Sequence, residues 1–534
     1  MTAETRAVAE TAAALGGDAQ ATDGGRALRV QAGGASAEIA LPADWQELGD
    51  LPGGLPSRAR GDQREKIIYN ILQDASGVPP RERLSAESLL EQLPELLSAG
   101  DPTSRRVLSR VLRAQYWVRP ERTRASRIEF PIPFHSALPA SYDYRGRYKS
   151  FTGTLLAFLC WTGDGIDRAT MDALFDYFNA TGDLTELDLE LIECAQKLAD
   201  AKPTASIDSL LERREVAVLL AGLSGGVMYP AAMERFRGDL RAVLALELPR
   251  HDKVAAVVLT FSVHVGLYYY RLALDLGEGI LGVAAAAADQ DGPPGGGNFV
   301  GRIRFRVGVG TDRPVRASDP CAQSFLELDE QHLLALPANI EVANLLQRIW
   351  AAAGGSASGP PRLADLELAM RADPSLAQLV DVAAGTLGVL YGSRTGSRPA
   401  EALTGAVRPG SGLHMLREIV LDRYRIPTNR LRQRGRDVVA TLLRRPFGGS
   451  LIRNRGNVRF FEMDEELLFL FVRWALARSR RPHIPLTAFL DLLNEYGLQP
   501  QSDDEAEEIA NALQRLGLLV RYSDAGEAQY VRLA

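Results

Sequence analysis

Cysteine is scarce in this chain: Cys160, Cys194 and Cys321 are the only three in 534 residues, far apart and without paired spacing. That excludes a disulfide scaffold and a zinc centre built on cysteines, and it fits a reducing, cytoplasmic setting. Lysine is almost as rare. Only Lys66, Lys149, Lys197, Lys202 and Lys253 occur, so all but five of the 61 cations are arginine. Alongside abundant alanine and glycine this is a habit of the whole chain, and it weakens any inference from one arginine. No Gly-Lys dipeptide occurs, which excludes the phosphate-cradling loop of P-loop ATPases. The N-terminus lacks a basic start followed by an apolar run. The longest apolar stretches are interrupted by His264, Arg271 or Asp275, so neither export nor membrane insertion is expected.

What is present describes an ordinary globular chain of roughly three to four domain-sized units, with 46% apolar and 24% charged residues and a formal charge of −6. Residues 1–61, rich in Ala and Gly, read as a flexible leader with one pair of short strands, Ala27–Val30 and Ala37–Leu41. Residues 62–290 read as a helical domain, because apolar residues recur at three- and four-residue spacing over Ile67–Leu72, Leu89–Leu97, Phe151–Trp161, Met171–Ala180, Leu187–Ala201, Ser209–Leu223, Tyr229–Leu246 and Lys253–Leu276. The proline-rich stretch Tyr116–Ser150 interrupts this as an ordered connector. Residues 291–421 read as a mixed domain: a lone strand or hairpin within Phe299–Val309, then helices at Asn339–Ala353 and Leu363–Thr386. An arginine-rich segment, 422–461, precedes a last domain, 462–534. The fold class expected is mainly α, a multi-helix body with small β elements and a C-terminal winged-helix domain.

The terminal assignment rests on order. Helices are predicted over Asp464–Ser479, Pro485–Tyr496 and Asp503–Leu516, the last two closed by Gly497 and Gly517. A hairpin, Leu518–Tyr522 with Ala528–Leu533, follows, and His483–Leu486 can supply the short strand before the second helix. A winged helix most often reads DNA through its third helix. Here that helix opens with Asp503, Asp504, Glu505, Glu507 and Glu508. Five carboxylates repel phosphates, so the usual binding face is disqualified. These acids either dock a protein partner or simply complement the positive end of the helix dipole in water.

Cations concentrate just upstream. Between 423 and 459 the chain carries Arg423, Arg425, Arg430, Arg432, Arg434, Arg436, Arg444, Arg445, Arg453, Arg455 and Arg459 against one acid, Asp437. Arg425, Arg432 and Arg436 recur at helical spacings, and Arg445-Pro-Phe-Gly-Gly-Ser450 offers backbone amides to a phosphate. Nucleic acid is the natural partner for such a strip. The other reading is a solvated or internally paired face, for instance against Asp503–Glu508.

Catalytic patterns are thin. Gly222-Leu-Ser224-Gly-Gly226 has nucleophile-elbow spacing, but Val216–Ala221 continue a helix into it, which favours a helix end. Asp200-Ala-Lys202 has the carboxylate-x-lysine core of many nucleases, on a helix end rather than the paired strands such sites use. His251-Asp-Lys253 begins like a phospholipase D motif, but the aspartate needed five residues later is Val258. His135, His264, His332, His414 and His483 stand isolated, with His264 read as a satisfied packing residue. No metal site and no cofactor are expected.

The closing segment Val520-Arg-Tyr-Ser-Asp-Ala-Gly-Glu-Ala-Gln-Tyr-Val-Arg532, with Lys66-Ile-Ile-Tyr-Asn-Ile-Leu72 and Tyr148-Lys-Ser-Phe-Thr152, resembles the G subunit of the phosphorothioation-dependent DNA restriction complex (the DptG or DndG family). That resemblance implies a cytoplasmic subunit of a bacterial anti-phage defence system, working beside an ATPase and a helicase-like translocase on DNA lacking the sulfur modification. It carries over no catalytic residues. The expectation is a non-catalytic accessory subunit that grips the DNA backbone through the arginine strip. Two alternatives stay open: a winged-helix scaffold bridging an ATPase complex without touching DNA, and a cryptic nuclease or hydrolase at Asp200, Lys202 or Ser224.

Overall fold

A computed structural model describes residues 3–22, 26–41, 64, 66–78, 84–85, 101–118, 130–143, 153–199, 204–223, 229–280, 302–308, 314–355, 363–396, 408–425, 434–444, 449–500, 502–521 and 529–533. In chain order its elements begin with α1 (Ala3–Ala14), β1 (Gly17–Thr22), β2 (Ala27–Ala32), β3 (Ala35–Ala40), α2 (Lys66–Ala75), β4 (Leu84–Ser85) and α3 (Pro102–Gln115). Next come β5 (Trp117–Val118), β6 (Phe130–Pro131), α4 (Ala137–Ser141), β7 (Tyr142–Asp143), α5 (Gly153–Leu159), α6 (Arg168–Asn179), α7 (Glu186–Ala199), α8 (Ile207–Leu211), α9 (Arg214–Gly222), α10 (Pro230–Leu244) and α11 (Arg250–Leu274). After β8 (Ile303–Val307) follow α12 (Pro320–Phe325), α13 (Leu334–Ala352), α14 (Leu363–Ala372), α15 (Pro374–Thr395), α16 (Gly412–Arg425) and α17 (Arg434–Leu443). The chain closes with β9 (Ile452–Arg455), β10 (Val458–Met463), α18 (Glu465–Ser479), β11 (His483–Pro485), α19 (Leu486–Glu495), β12 (Leu498–Pro500), α20 (Asp503–Arg515), β13 (Leu519–Arg521) and β14 (Gln529–Arg532). The protein is mainly α with small sheets, as the periodicity predicts. The expected helix over Leu89–Leu97 lies outside the described residues.

Two compact units emerge, and neither is a continuous stretch: 1–57 with 269–299 and 327–436, and 58–268 with 300–326 and 437–534. The linear segments expected from composition therefore do not coincide with the units, because each unit closes by packing together parts far apart in the chain.

In the first unit the helix α15 is the core. Its residues from Leu379 to Gly392 are buried all round, the pattern of a helix covered on every side rather than an amphipathic one. Asp373 caps it, accepting from the Ser375 and Leu376 amides at 2.9 and 3.3 Å, and Pro374 occupies the first turn where no amide donor is needed. This cap splits the single helix expected over Leu363–Thr386 into α14 and α15. Small residues let neighbours approach closely: a Cβ on Gly385 would lie 2.4 Å from Leu15, just after α1, and one on Gly388 would lie 3.1 Å from Ile419 of α16. The leader is likewise corrected. Residues 3–22 and 26–40 form a helix and an antiparallel β1-β2-β3 sheet with Leu28, Val30 and Ile39 buried, and Arg394 of α15 holds Glu4 at 2.8 Å. The expected strand pair is β2 and β3. Residues 42–61 lie outside the described residues.

The second unit carries a four-stranded sheet of order β12-β8-β10-β9. The strand expected to stand alone or in a hairpin, β8, is instead interior to this sheet and runs parallel to both β10 and β12, with Arg306 opposite Glu462 and Ile303 opposite Leu498. Buried side chains along its length, Ile303, Phe305 and Val307, explain why it is covered. At the C-terminus the elements run α18, β11, α19, α20, β13, β14, with a three-stranded sheet of order β11-β14-β13. Asp464 and Ser502 cap α18 and α20 through the amides of Leu467 and Glu505. Gly497 and Gly517 adopt φ of 81° and 73° at the expected helix ends.

Among the described residues, two helical segments, Arg250–Gly277 and Pro374–Thr395, are long and apolar enough to cross a membrane by length and composition, and their apolar windows are 100% and 78% buried within the protein. The interruptions at His264, Arg271 and Asp275 therefore do not shorten the first one below spanning length.

Candidate nucleic-acid interface

The arginine-rich segment divides into helix ends and a hairpin. β9 and β10 pair antiparallel with Val458 opposite Arg455 and Phe461 opposite Ile452, and Gly456 at φ 57° makes the turn. The base is anchored: Phe460 packs on Cys321 and Ala322, and the Phe461 ring lies 5.3 Å from that of Phe325. The tip is wet, with Asn454, Arg455, Gly456, Asn457 and Arg459 exposed. Cross-strand register puts Arg455 on the face of Val458 and Phe460, and Arg459 on the opposite face.

Not all of the strip reaches solvent. Arg423 is buried, its Nη1 donating to the Tyr391 hydroxyl at 3.0 Å and to Glu341 at 3.3 Å. The hydroxyls of Tyr391 and Tyr424 donate to the same carboxylate. Burial pushes the Glu341 carboxyl above its ordinary value, while Arg423 and the two tyrosines pull it back. Arg436 donates through Nε to Asp329 at 2.6 Å and lies 3.7 Å from Glu330. Arg453 sits 3.3 Å from Glu462, a buried carboxylate that Arg306 also grips at 2.6 Å. Arg436 and Arg453, both expected to bind nucleic acid, are ion-paired inside their own units, as is Arg423. Their partners are Asp329, Glu330, Glu462 and Glu341 rather than Asp503–Glu508.

Arg444 and Arg455 are exposed. The backbones of Arg425 and Arg434 end α16 and begin α17, and Arg430, Arg432 and Arg445 lie outside the described residues. The glycine loop offers less than its sequence implies. The Gly449 amide already donates to Glu466, its carbonyl accepts from Arg64 at 2.7 Å, and Leu259 would meet a Cβ there at 2.3 Å. Ser450 is buried and donates to the Ile452 carbonyl. On α20, Asp503, Asp504 and Glu507 are exposed and Glu505 and Glu508 half-buried, so all five acids lie at or near the surface of the first two turns.

Elsewhere, His264 is a packing residue. Its Nε2 lies 2.9 Å from Asp239, which also accepts from the Tyr496 hydroxyl, and its ring is edged by Phe236 and tilted against Trp474. His251 stands 3.8 Å from Asp188 beside Tyr116 and Phe134. Burial pushes the Cys160 thiol up, away from thiolate chemistry. Ser224, Asp200 and Lys202 lie outside the described residues, and among those described no three His, Cys, Asp or Glu side chains gather closely enough to hold a metal ion.

No family model and no curated protein matches this chain.

One cationic surface is not signalled by local charge density. Arg480, Arg481, His483 and Arg532 are all exposed on the C-terminal module, with His483 directly opposite Arg532 in the sheet. Its trace in the sequence is the run Ser479-Arg-Arg-Pro-His483, short beside the denser stretch at 423–459.

Proposed function

We propose that this chain is a non-catalytic accessory subunit of a bacterial DNA-acting anti-phage restriction complex. It is a cytoplasmic adaptor that contacts the phosphate backbone without reading sequence and docks an ATPase and a helicase-like translocase. The observation that supports this best is the division of charge within 452–515. Arginines stand exposed at the β9–β10 tip, and carboxylates stand exposed at the start of α20, the helix that would enter the groove if the terminal module is a winged helix. Phosphates attract the first group and repel the second, so the hairpin suits DNA and the acidic helix suits a protein partner. Phosphate contacts of this kind position a duplex and carry no sequence information. Alanine at Arg444, Arg455 and Arg459 should flatten the salt dependence of duplex binding by about one unit of slope for each phosphate-neutralising guanidinium removed. Unchanged binding removes this part of the reading.

A second reading, a bridging scaffold that touches no DNA, draws its support from the internal pairing of Arg423, Arg436 and Arg453. Co-purification with an ATPase together with no duplex binding at low salt would select it.

A further inference from the structure

We infer that the C-terminal three-stranded sheet, rather than the third helix of the same module, is a second duplex-binding surface, with Arg480, Arg481, His483 and Arg532 meeting phosphates. The inference deepens the reading of this chain as a DNA-contacting subunit and rests on it.

The sheet has two unlike faces. Residues directly opposite in neighbouring strands share a face, and alternate residues switch. Val531, Ile484 and Leu519 pair across β14, β11 and β13 and are buried, which makes theirs the face turned to α18, α19 and α20. The alternate set, His483, Pro485, Val520, Tyr530 and Arg532, forms the other face, in which His483 and Tyr530 meet edge to face at 5.2 Å. Arg480 and Arg481 lead into β11 and are exposed. Within Ser479–Pro485, Leu519–Arg521 and Gln529–Leu533 there is no acidic residue; Asp524 and Glu527 lie between β13 and β14 in the sequence, outside the described residues. The module's densest run of acids, Asp503–Glu508, opens α20, with Glu465 and Glu466 on α18 and Asp491 and Glu495 on α19, so a phosphate meets attraction at the sheet and repulsion at the start of α20.

Arg480 adds a second observation. It is the one non-glycine residue with positive φ among those described, at 52°, where it ends α18 with its amide donating to the Ala477 carbonyl. Glycine is the residue that suits a left-handed helix end. A long cation there is strained locally and leaves the chain at the edge of the basic face, which makes sense if its charge is used.

The test uses the full chain, a duplex of arbitrary sequence, and salt titration. Arg480→Glu, Arg481→Glu and Arg532→Glu combined should lower the slope of log affinity against log salt by about two to three units. Arg480→Gly alone should lower it by about one unit while raising the midpoint of thermal unfolding. The three changes at Arg444, Arg455 and Arg459 are measured in parallel. If the sheet variant keeps the wild-type slope while the hairpin variant loses it, the inference falls and the proposed function stands. If neither variant differs from wild type, both fall. A sheet variant that binds duplex normally but no longer co-purifies with a protein partner overturns the inference in favour of a protein surface.

Discussion

The stretch 423–459 and the terminal sheet both present arginine, and the same side chain has opposite fates in them. In the first, Arg423 and Arg436 turn inward onto Glu341 and Asp329, and the half-exposed Arg453 pairs with the buried Glu462. In the second, Arg480, Arg481 and Arg532 stay in solvent. Linear density of charge is thus a poor guide to surface charge, because a guanidinium beside a buried carboxylate compensates a desolvation cost instead of offering itself to a ligand. The denser segment loses part of its cationic surface to the cores, and the sparser one keeps what it has.

That contrast can be broken most forcefully at Arg423. Arg423→Ala leaves Glu341 buried without its cation and should cost about 3–5 kcal/mol of stability, measured by chemical denaturation; a loss below about 1 kcal/mol would mean that the pair is not structural. The same variant carries a pH signature. Burial already raises Glu341, and loss of Arg423 raises it further, so the folded state binds a proton that the unfolded state releases. The stability deficit should therefore be smallest below the ordinary carboxylate range and grow as pH rises through the folded-state value. A flat deficit would contradict this. Next in size, Arg436→Ala removes a charged hydrogen bond to the buried Asp329 and should cost about 1.5–3 kcal/mol. Smallest of all, Arg459→Ala and Arg481→Ala should shift stability by no more than about 0.5 kcal/mol, since neither side chain is buried. A larger loss at either would erase the distinction between the two regions.

A further pH test lies outside the arginines. His135 is buried, its Nδ1 accepting from the Ala137 amide at 3.1 Å and its Nε2 facing the Asn179 carbonyl at 3.2 Å, which fixes a neutral ring. Burial and the charge of Arg250 lower it to about 4, against the pull of the Asn179 carbonyl. The unfolded chain then binds the extra proton, so stability is complete above the ordinary histidine value and falls as pH drops from about 6.5 to about 4. The loss is up to about 3 kcal/mol. His135→Gln should flatten that slope in an acid unfolding series.

The sequence is most legible where local chemistry decides structure. Gly497 and Gly517 as left-handed helix ends and the alternation of β13 and β14 place the terminal elements within a residue or two. The break at Asp373-Pro374 is equally local, but apolar recurrence runs straight through it, so the cap and first-turn proline are its only signs. Long-range pairing is what cannot be read. Arg436 finds Asp329 across 107 residues, Arg423 finds Glu341 across 82, and Arg306 finds Glu462 across 156. No periodicity signals such partners. The same holds for β8, whose neighbours in the sheet, β10 and β12, come from Val458–Met463 and Leu498–Pro500, and for α1, whose Ala7 and Ala12 are buried where α15 packs on it.

The most direct measurement is the salt dependence of binding between the full chain and a duplex of arbitrary sequence. The account predicts a steep linear fall of log affinity with log salt, insensitive to base sequence and reduced by separate increments when the hairpin and sheet arginines are removed. A slope near zero, or one that changes with sequence but not with these arginines, would contradict it.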